Sequence, residues 1–295
     1  MHLKINCIFG EYFDGRCITI GLMDVNQIKA DLQWTLTSTN LLTDCYEFPK
    51  VLMHSDVRVS ENDASITPNR KVGHYFEQLV YQLLTNSPGN TILHRNLQIH
   101  DQLRTVGELD FVFQNDAGLT IHLETAVKFY LYYPDAPVNG SHFLGPNSAD
   151  TFEIKCNRLF HHQLTLGERY YQEVQSTMAL VKGMIFYPLH SSLPERLPEQ
   201  LNVTHQRGAW LFESQLESLL THNNSEYAIC RKPHWLAPPV SSTSYVSSQF
   251  IYRHLRRHFA DRGHPVMISR RQLDCNETQR LFVVPNHWPN QTPTK

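Results

Sequence analysis

Two alternating apolar runs joined by four turn-forming residues set the strongest limit on how this chain can fold. Gly107 to Lys128 reads G-E-L-D-F-V-F-Q-N-D-A-G-L-T-I-H-L-E-T-A-V-K. Asn115-Asp116-Ala117-Gly118 supplies the turn conformations that a β-hairpin needs, and the flanking Phe, Val, Ile and Leu residues suit strands. Side chains alternate across a strand, so Leu109, Phe111 and Phe113 fall on one face of the first strand, and Glu108, Asp110, Val112 and Gln114 on the other. In the second strand Leu123, Thr125, Val127 and Phe129 share a face, opposite His122, Glu124, Ala126, Lys128 and Tyr130. With the apolar faces on one side of the sheet, Glu108, Asp110, Glu124 and Lys128 converge on the other.

Carboxylates grouped with one lysine suit a hard cation such as Mg²⁺, which takes one or two carboxylates and keeps waters for a phosphate substrate. The lysine can orient or deprotonate a water, or stabilise charge on the phosphate. The same residues also suit the wet face of an antiparallel pair, where Glu and Lys serve solubility. Only the order of the surrounding elements separates the two.

The chain has 295 residues, enough for one large domain or two ordinary ones, with 41% hydrophobic and 18% charged residues. A net charge of −2 argues against wholesale electrostatic capture of nucleic acid and leaves room for a local basic groove. Cys7, Cys17, Cys45, Cys156, Cys230 and Cys275 form no C-x-x-C pair, as expected of reduced thiols in a cytosolic protein. The first residues lack a signal peptide's apolar core, and no run approaches the length of a membrane span. A cytoplasmic protein without membrane partners is expected.

Val25, Ile28, Leu32 and Leu36 recur at helical spacing, which predicts a helix over roughly 24–37. Thr67-Pro68 resembles a helix start, and Val72, Phe76, Leu79, Val80, Leu83 and Leu84 form one stripe with Glu77 on its border. Thr91 to Ile99 reads as a strand leading into the hairpin. Pro134, Pro137, Gly140, Gly145 and Pro146 mark a long connection in which F-L-G-P-N (143–147) reads as an ordered loop. A helix is predicted over about 148–161. A second follows over about 168–182, carrying Gln172 and Gln175 and ending at Gly183, before a short strand at Met184–Tyr187. The core order is helix, three strands, helix, strand.

That order, with Glu77 on the first helix, Asp110 on the second strand and Glu124 and Lys128 on the third, resembles the PD-(D/E)xK nuclease superfamily. More closely, the chain resembles a bacterial family of unknown function placed in that superfamily. The carrying motifs are G-H-Y-F-E (73–77), G-E-L-D (107–110), E-T-A-V-K-F-Y-L (124–131), F-L-G-P-N (143–147), K-G-M-I-F-Y-P (182–188), K-P-H-W-L-A-P (232–238) and L-F-V-V-P-N-H-W-P (281–289). The resemblance implies an α/β protein with a restriction-endonuclease-like core at 67–190. A helical N-terminal extension (1–66) and a mixed α/β C-terminal elaboration (191–295) complete it. It also implies a hydrolase that cleaves phosphodiesters of DNA or RNA with Mg²⁺ or Mn²⁺. Lys128, Asp110, Glu124 and Glu77 are then the catalytic set, and Asp110, Glu124 and Glu77, with Glu108 assisting, the metal ligands.

One position departs from the superfamily's pattern. Its third-strand acid stands two residues before the lysine, where this chain has Ala126; the nearest acid, Glu124, stands four before. Along a strand the Cα atoms of 124 and 128 are ~13 Å apart instead of ~7 Å. Three arrangements account for this: Glu124 ligates from a shifted position, a bulge brings it into line, or the metal site is broken. The last would leave a catalytically inactive nuclease-fold protein that binds nucleic acid or protein. A nucleotide-processing hydrolase is a third class, for which no phosphate-cradling glycine loop is present.

In the C-terminal third, Trp210–Leu220 is apolar and periodic, and Tyr227–Trp235 reads as a strand. Strands follow a helix at Val266–Ile268 and Leu281–Val284. That helix, over about 246–260, buries Ile251, Tyr252, Leu255 and Phe259 and clusters Arg253, Arg256 and Arg257 opposite. These arginines suit either phosphate contacts or a solvated basic face. His254 and His258 stand four apart, without the acid motif that would point to zinc.

Overall fold

Helix α1 (Val25–Thr37) forms where the 3.6-residue spacing predicts it and buries Ile28, Leu32, Trp34 and Leu36. The computed structural model describes residues 25–50, 52, 71–101, 104–135, 137–189, 191–221, 224–241, 244–261, 263–275 and 277–290. Ahead of them lies one short pairing of β1 (Tyr12–Phe13) with β2 (Arg16–Cys17). Helix α2 (Val72–Asn86) buries the expected stripe of Phe76, Leu79, Val80, Leu83 and Leu84. Its expected start, Thr67-Pro68, lies outside the described residues.

Strands β3 (Thr91–Asp101), β4 (Arg104–Gln114) and β5 (Thr120–Tyr132) follow as an antiparallel series. The turn between β4 and β5 closes as its residues dictate. The Asn115 side chain accepts from the backbone N–H groups of Ala117 and Leu119, and Gly118 takes φ +76°. After β6 (Phe143–Leu144) comes α3 (Phe152–Arg158), capped by the Thr151 hydroxyl, which accepts from Ile154 N–H. A π-helical turn at Leu159–Gln163 leads into α4 (Leu164–Tyr170).

The helix expected over 168–182 is not formed. Helix α4 stops at Tyr170, and Ser176–Pro188 is a thirteen-residue strand, β7. A continuous apolar run buried on both faces satisfies a helical stripe and a parallel strand alike. Eleven consecutive register pairs with β5, from Ile121–Ser176 to Leu131–Phe186, settle it as strand. Gly183 is accordingly not a helix end but the point of closest approach. A Cβ there would lie 1.8 Å from the Lys128 carbonyl oxygen. Gln175 lines no site; its side chain accepts from Thr120 N–H and pins the start of β5, and Gln172 is exposed.

The remainder comprises β8 (Gln206–Phe212), a 3-10 stretch (Glu213–Thr221), β9 (Ser225–Ile229), β10 (Val246–Ser247), α5 (Ser248–Asp261), β11 (Val266–Gln272) and β12 (Thr278–Val284). The periodic segment from Trp210 is thus the end of a strand running into the 3-10 stretch. All strands except the β1–β2 pair join one ten-stranded mixed sheet in the order β10-β9-β11-β12-β8-β7-β5-β4-β3, with β6 added on β5. The β5–β7, β7–β8 and β8–β12 pairs are parallel. One face packs Leu123, Val127 and Phe129 of β5 against α1 and α2. The other packs Ala126 and Tyr130 against Phe152, Cys156 and Leu159. The acid-bearing face of β5 is therefore covered by α3, not left wet.

Asp31 of α1 is fully buried and accepts from Gln27, Tyr75 of α2, His234 Nδ1 and Ala237 N–H. This carboxylate fastens the K-P-H-W-L-A-P segment to both helices. Lys182 of β7, also buried, donates to the Ser38 carbonyl just past the end of α1. Among the described residues, Cys45, Cys156, Cys230 and Cys275 carry free thiols, and no helix is long and apolar enough to cross a membrane.

Burial lowers the Lys182 amine to about 8, from an ordinary value of 10.5. Between those two values the unfolded chain holds a proton that the folded one has released, so stability rises with pH across that window. From pH 8 to pH 10 the wild type should gain about 2 kcal/mol over Lys182→Met. Urea unfolding of both proteins checks this, and parallel pH profiles would contradict it.

Candidate active site

Strand β4 pairs with β5 only from Gln114–Thr120 to Phe111–Leu123. Strand β6 pairs with β5 at Leu131 and Tyr132. Between these contacts, residues 124–130 have no strand partner on this edge among the described residues. β4 peels away there, and a fork opens. The last paired residues are Phe111 and Leu123, and Asp110 and Glu124 are the next along each strand. The Asp110 carboxylate takes the place of the missing strand, accepting from the backbone N–H of Thr125 at 2.7 Å and from its hydroxyl at 2.9 Å.

Glu124 is 1% exposed. One carboxylate oxygen lies 2.9 Å from His122 Nε2, and the other accepts from the Gln163 amide at 2.7 Å. Gln163 sits in the π-helical turn and itself accepts from Lys155 Nζ of α3 at 2.9 Å. Helix α4 comes close enough to hold this arrangement because residue 167 is glycine: a Cβ there would lie 2.5 Å from the His122 ring. A single chain of contacts thus runs from His122 through Glu124 and Gln163 to Lys155.

The other expected residues gather around the fork. Glu77 of α2 lies 3.5 Å from His74 Nδ1, and the negative charges of Glu77 and Glu108 act on one another. Glu108 accepts from the amides of Asn96 and Gln98 of β3, which hold it to the side. Lys128 is ion-paired with Asp150 at the end of the F-L-G-P-N loop. That loop is folded by hydrogen bonds from Gly145 N–H to the Asp150 carbonyl and from Ser148 N–H to the Gly145 carbonyl. The Trp288 indole, donating to the Pro146 carbonyl at 3.0 Å, braces it.

Acids outnumber cations in the fork, and the energetics record it. Burial first, then the charges of Glu124 and Glu77, push the Asp110 carboxyl up to about 8, although the Thr125 hydrogen bonds oppose this. Burial also raises Glu77, as does Glu108. Such crowding suits a bound cation. Among the described residues no three His, Cys, Asp or Glu side chains form a ready cage. Two facing carboxylates nevertheless meet what Mg²⁺ asks of a protein when water and phosphate complete its shell. Asp110 and Glu124 would hold it, with Glu77 behind them.

Arg253, Arg256 and Arg257 are exposed on α5, apart from the fork. In-register pairing carries the α3-covered face of the sheet through Tyr187, Ala209 and Leu281 to Ile268, so α5 lies on the same face as α3. Helix α5 packs over β9, five strand steps from β5, a separation of ~24 Å. His258 contacts the His264 carbonyl.

The family described as a domain of unknown function, DUF1853, matches residues 30–284. The chain belongs to the DUF1853 family. No curated protein and no solved structure matches it. The matched span of this DUF1853 chain contains the entire fork, including Lys155 and Gln163, two residues that sequence reasoning missed. The available signal was only that a helix after β5 must lie back across the sheet.

Removing one of the crowded charges should relieve the fold. In EDTA at pH 9, above the value of about 8 to which Asp110 is pushed, Asp110→Asn should be more stable than the wild type by about 1–2 kcal/mol, despite losing a charged acceptor for Thr125. Urea unfolding measures this, and a destabilised variant would show that the crowding is illusory.

Proposed function

We propose that this DUF1853 protein is a Mg²⁺-dependent nuclease that hydrolyses phosphodiester bonds of DNA or RNA on a restriction-endonuclease-like core. The observation that carries this reading is the pair Asp110 and Glu124, brought together where β4 and β5 part, with the charge of Glu124 acting on Asp110. The element order supports it: helix α2, strands β3, β4 and β5, the broken helix α3–α4, then β7. The departure at Ala126 also finds an account. On this reading Glu124, the residue after the last β5 position paired with β4, serves as the third-strand acid, and the lysine is what has moved.

When bound, a divalent cation neutralises charge on the attacked phosphate and makes water a competent nucleophile at neutral pH. The chain's own residues orient what surrounds it. Thr125 fixes the Asp110 carboxylate, His122 and Gln163 fix that of Glu124, and Glu77 adds negative charge behind them. In hydrolysis the water oxygen bonds to phosphorus, the bond to the leaving oxygen breaks with its electron pair, and protons pass from the water to solvent and from solvent to the leaving oxygen. One lysine at the rim stabilises the charge that builds on the non-bridging oxygens. The free thiols accord with a cytoplasmic setting.

A second reading is a catalytically inactive nuclease-fold protein that binds nucleic acid or a protein partner. It is favoured by the protein hydrogen bonds already made by Asp110 and Glu124. Calorimetric titration of Mn²⁺ and Mg²⁺ separates the two, with binding in the wild type and its loss in Asp110→Asn expected of the nuclease. On a mixed panel of DNA and RNA substrates, Asp110→Asn and Glu124→Gln should each lower metal-dependent cleavage by about 100-fold or more. Cleavage that survives both substitutions would place the chemistry elsewhere.

The α5 arginines extend the proposal to binding. A separation of ~24 Å spans about seven nucleotide steps of 3.4 Å, so a duplex seated at the fork reaches α5. Reversing Arg253 and Arg257 to Glu should weaken binding and flatten its dependence on salt. An unchanged salt slope in filter-binding or anisotropy titrations would leave this helix out of the interface.

A further inference from the structure

The fork contains two lysines in different circumstances. The Lys128 ammonium is engaged by Asp150, and its side chain is about one-third exposed at 32%. The pair ties β5 to the loop between β6 and α3, so Lys128 already has a structural task. Lys155 projects from α3 and donates to Gln163 Oε1 at 2.9 Å, while the same amide donates to Glu124 at 2.7 Å. The charges acting on Lys155 are those of the site itself: Lys128, Glu124 and Asp110, with Arg158 behind it. Two positions beyond Glu124 on the strand stands Ala126, packed in the core beneath α3 and without a functional group. The π-helical turn adds a second sign of specialisation. An extra residue per turn re-aims Gln163 at Glu124, and such insertions recur at functional sites.

We propose that Lys155, reaching in from helix α3, is the catalytic lysine of this site, and that Lys128 is an anchor for the loop bearing Asp150. The inference rests on the nuclease reading and assigns one role within it. A lysine ammonium has three N–H donors. Gln163 takes one and thereby holds the group beside Glu124, leaving two for the attacked phosphate. In this role Lys155 acts as an ammonium: burial and then Lys128 lower its amine, and Glu124 and Asp110 oppose that and favour the charged form. It donates to a non-bridging oxygen as negative charge builds there, and the bonds made and broken are those of the hydrolysis given above.

The test compares Lys155→Met, Lys155→Gln, Lys128→Met and the wild type, each checked by circular dichroism. Lys155→Gln keeps a donor for Gln163 and removes only the charge, so it separates chemistry from packing if Lys155→Met fails to fold. Three readouts are taken: Mn²⁺ affinity by calorimetry, substrate affinity in Ca²⁺, and single-turnover cleavage in Mn²⁺ at saturating substrate.

Loss of a cation beside the metal-binding acids should tighten Mn²⁺ binding of Lys155→Gln about threefold or more. Its cleavage rate should fall about 100-fold, with substrate affinity within threefold of the wild type. Lys128→Met should shift Mn²⁺ affinity and the cleavage rate less than about threefold and lower the melting temperature instead. Cleavage lost in Lys128→Met and retained in Lys155→Gln overturns the assignment and leaves the nuclease reading standing, and equal losses in both also overturn it. A wild type that neither binds Mn²⁺ nor cleaves any substrate refutes the nuclease reading, and this assignment with it.

Discussion

A backbone N–H in the middle of a sheet needs an acceptor, and at Thr125 that acceptor is a side chain. Asp110 supplies the carboxylate oxygen that the departing strand β4 no longer provides, and it takes the Thr125 hydroxyl as well. This exchange lets β4 leave β5 without orphaning a buried donor. Everything at the fork follows. The edge of β5 from 124 to 130 is released from strand pairing, the β6–α3 loop enters with Asp150, and α3 and α4 close over the acid-bearing face.

Two carboxylates in this protein, Asp31 buried and Asp110 half-buried, meet opposite fates. Asp31 is saturated by four donors from three segments of the chain, and it acts as a fastening. Asp110 has two donors from one residue and faces Glu124 and Glu77, and its carboxyl is pushed up accordingly. The first arrangement satisfies a charge completely; the second concentrates charge and leaves it short of cations. Two glycines allow close packing nearby: Gly167 lets α4 approach His122, and Gly183 lets β7 approach Lys128.

The hairpin and both N-terminal helices were legible in the sequence, because turn chemistry and periodicity are local, and alternation alone put Glu108, Asp110, Glu124 and Lys128 on one face of the hairpin. The strand β7 was not. Its apolar run is buried on both faces, so its period carries no information, and the partner that decides it, β5, lies more than fifty residues earlier. The fork was half legible. Spacing alone made Glu124 appear displaced from Lys128, whereas the approach of Asp110 to Glu124 depends on a cross-strand register fixed by the turn at 115–118. Lys155 and Gln163 were out of reach. Their meeting with Glu124 depends on an irregular helix whose π turn leaves no mark in composition.

The motifs without evident chemistry explain how an open fork stays in shape. Trp288, from L-F-V-V-P-N-H-W-P, packs on Tyr133 and Trp210 and holds the Pro146 carbonyl of F-L-G-P-N. Trp235, from K-P-H-W-L-A-P, packs on Phe129 of β5 and Phe282 of β12. Arg280, buried, donates to the Trp235 and Leu236 carbonyls. The Trp235–Phe129 contact reaches β5, the Trp288 indole reaches the loop that ends at Asp150, and Arg280 ties β12 to the K-P-H-W-L-A-P segment. A site opened by removing a strand has lost the lattice of backbone hydrogen bonds that would otherwise fix its width. Aromatic packing from the far half of the sheet, Trp235 on Phe129 and Trp288 on Tyr133, braces β5 and the residue that follows it.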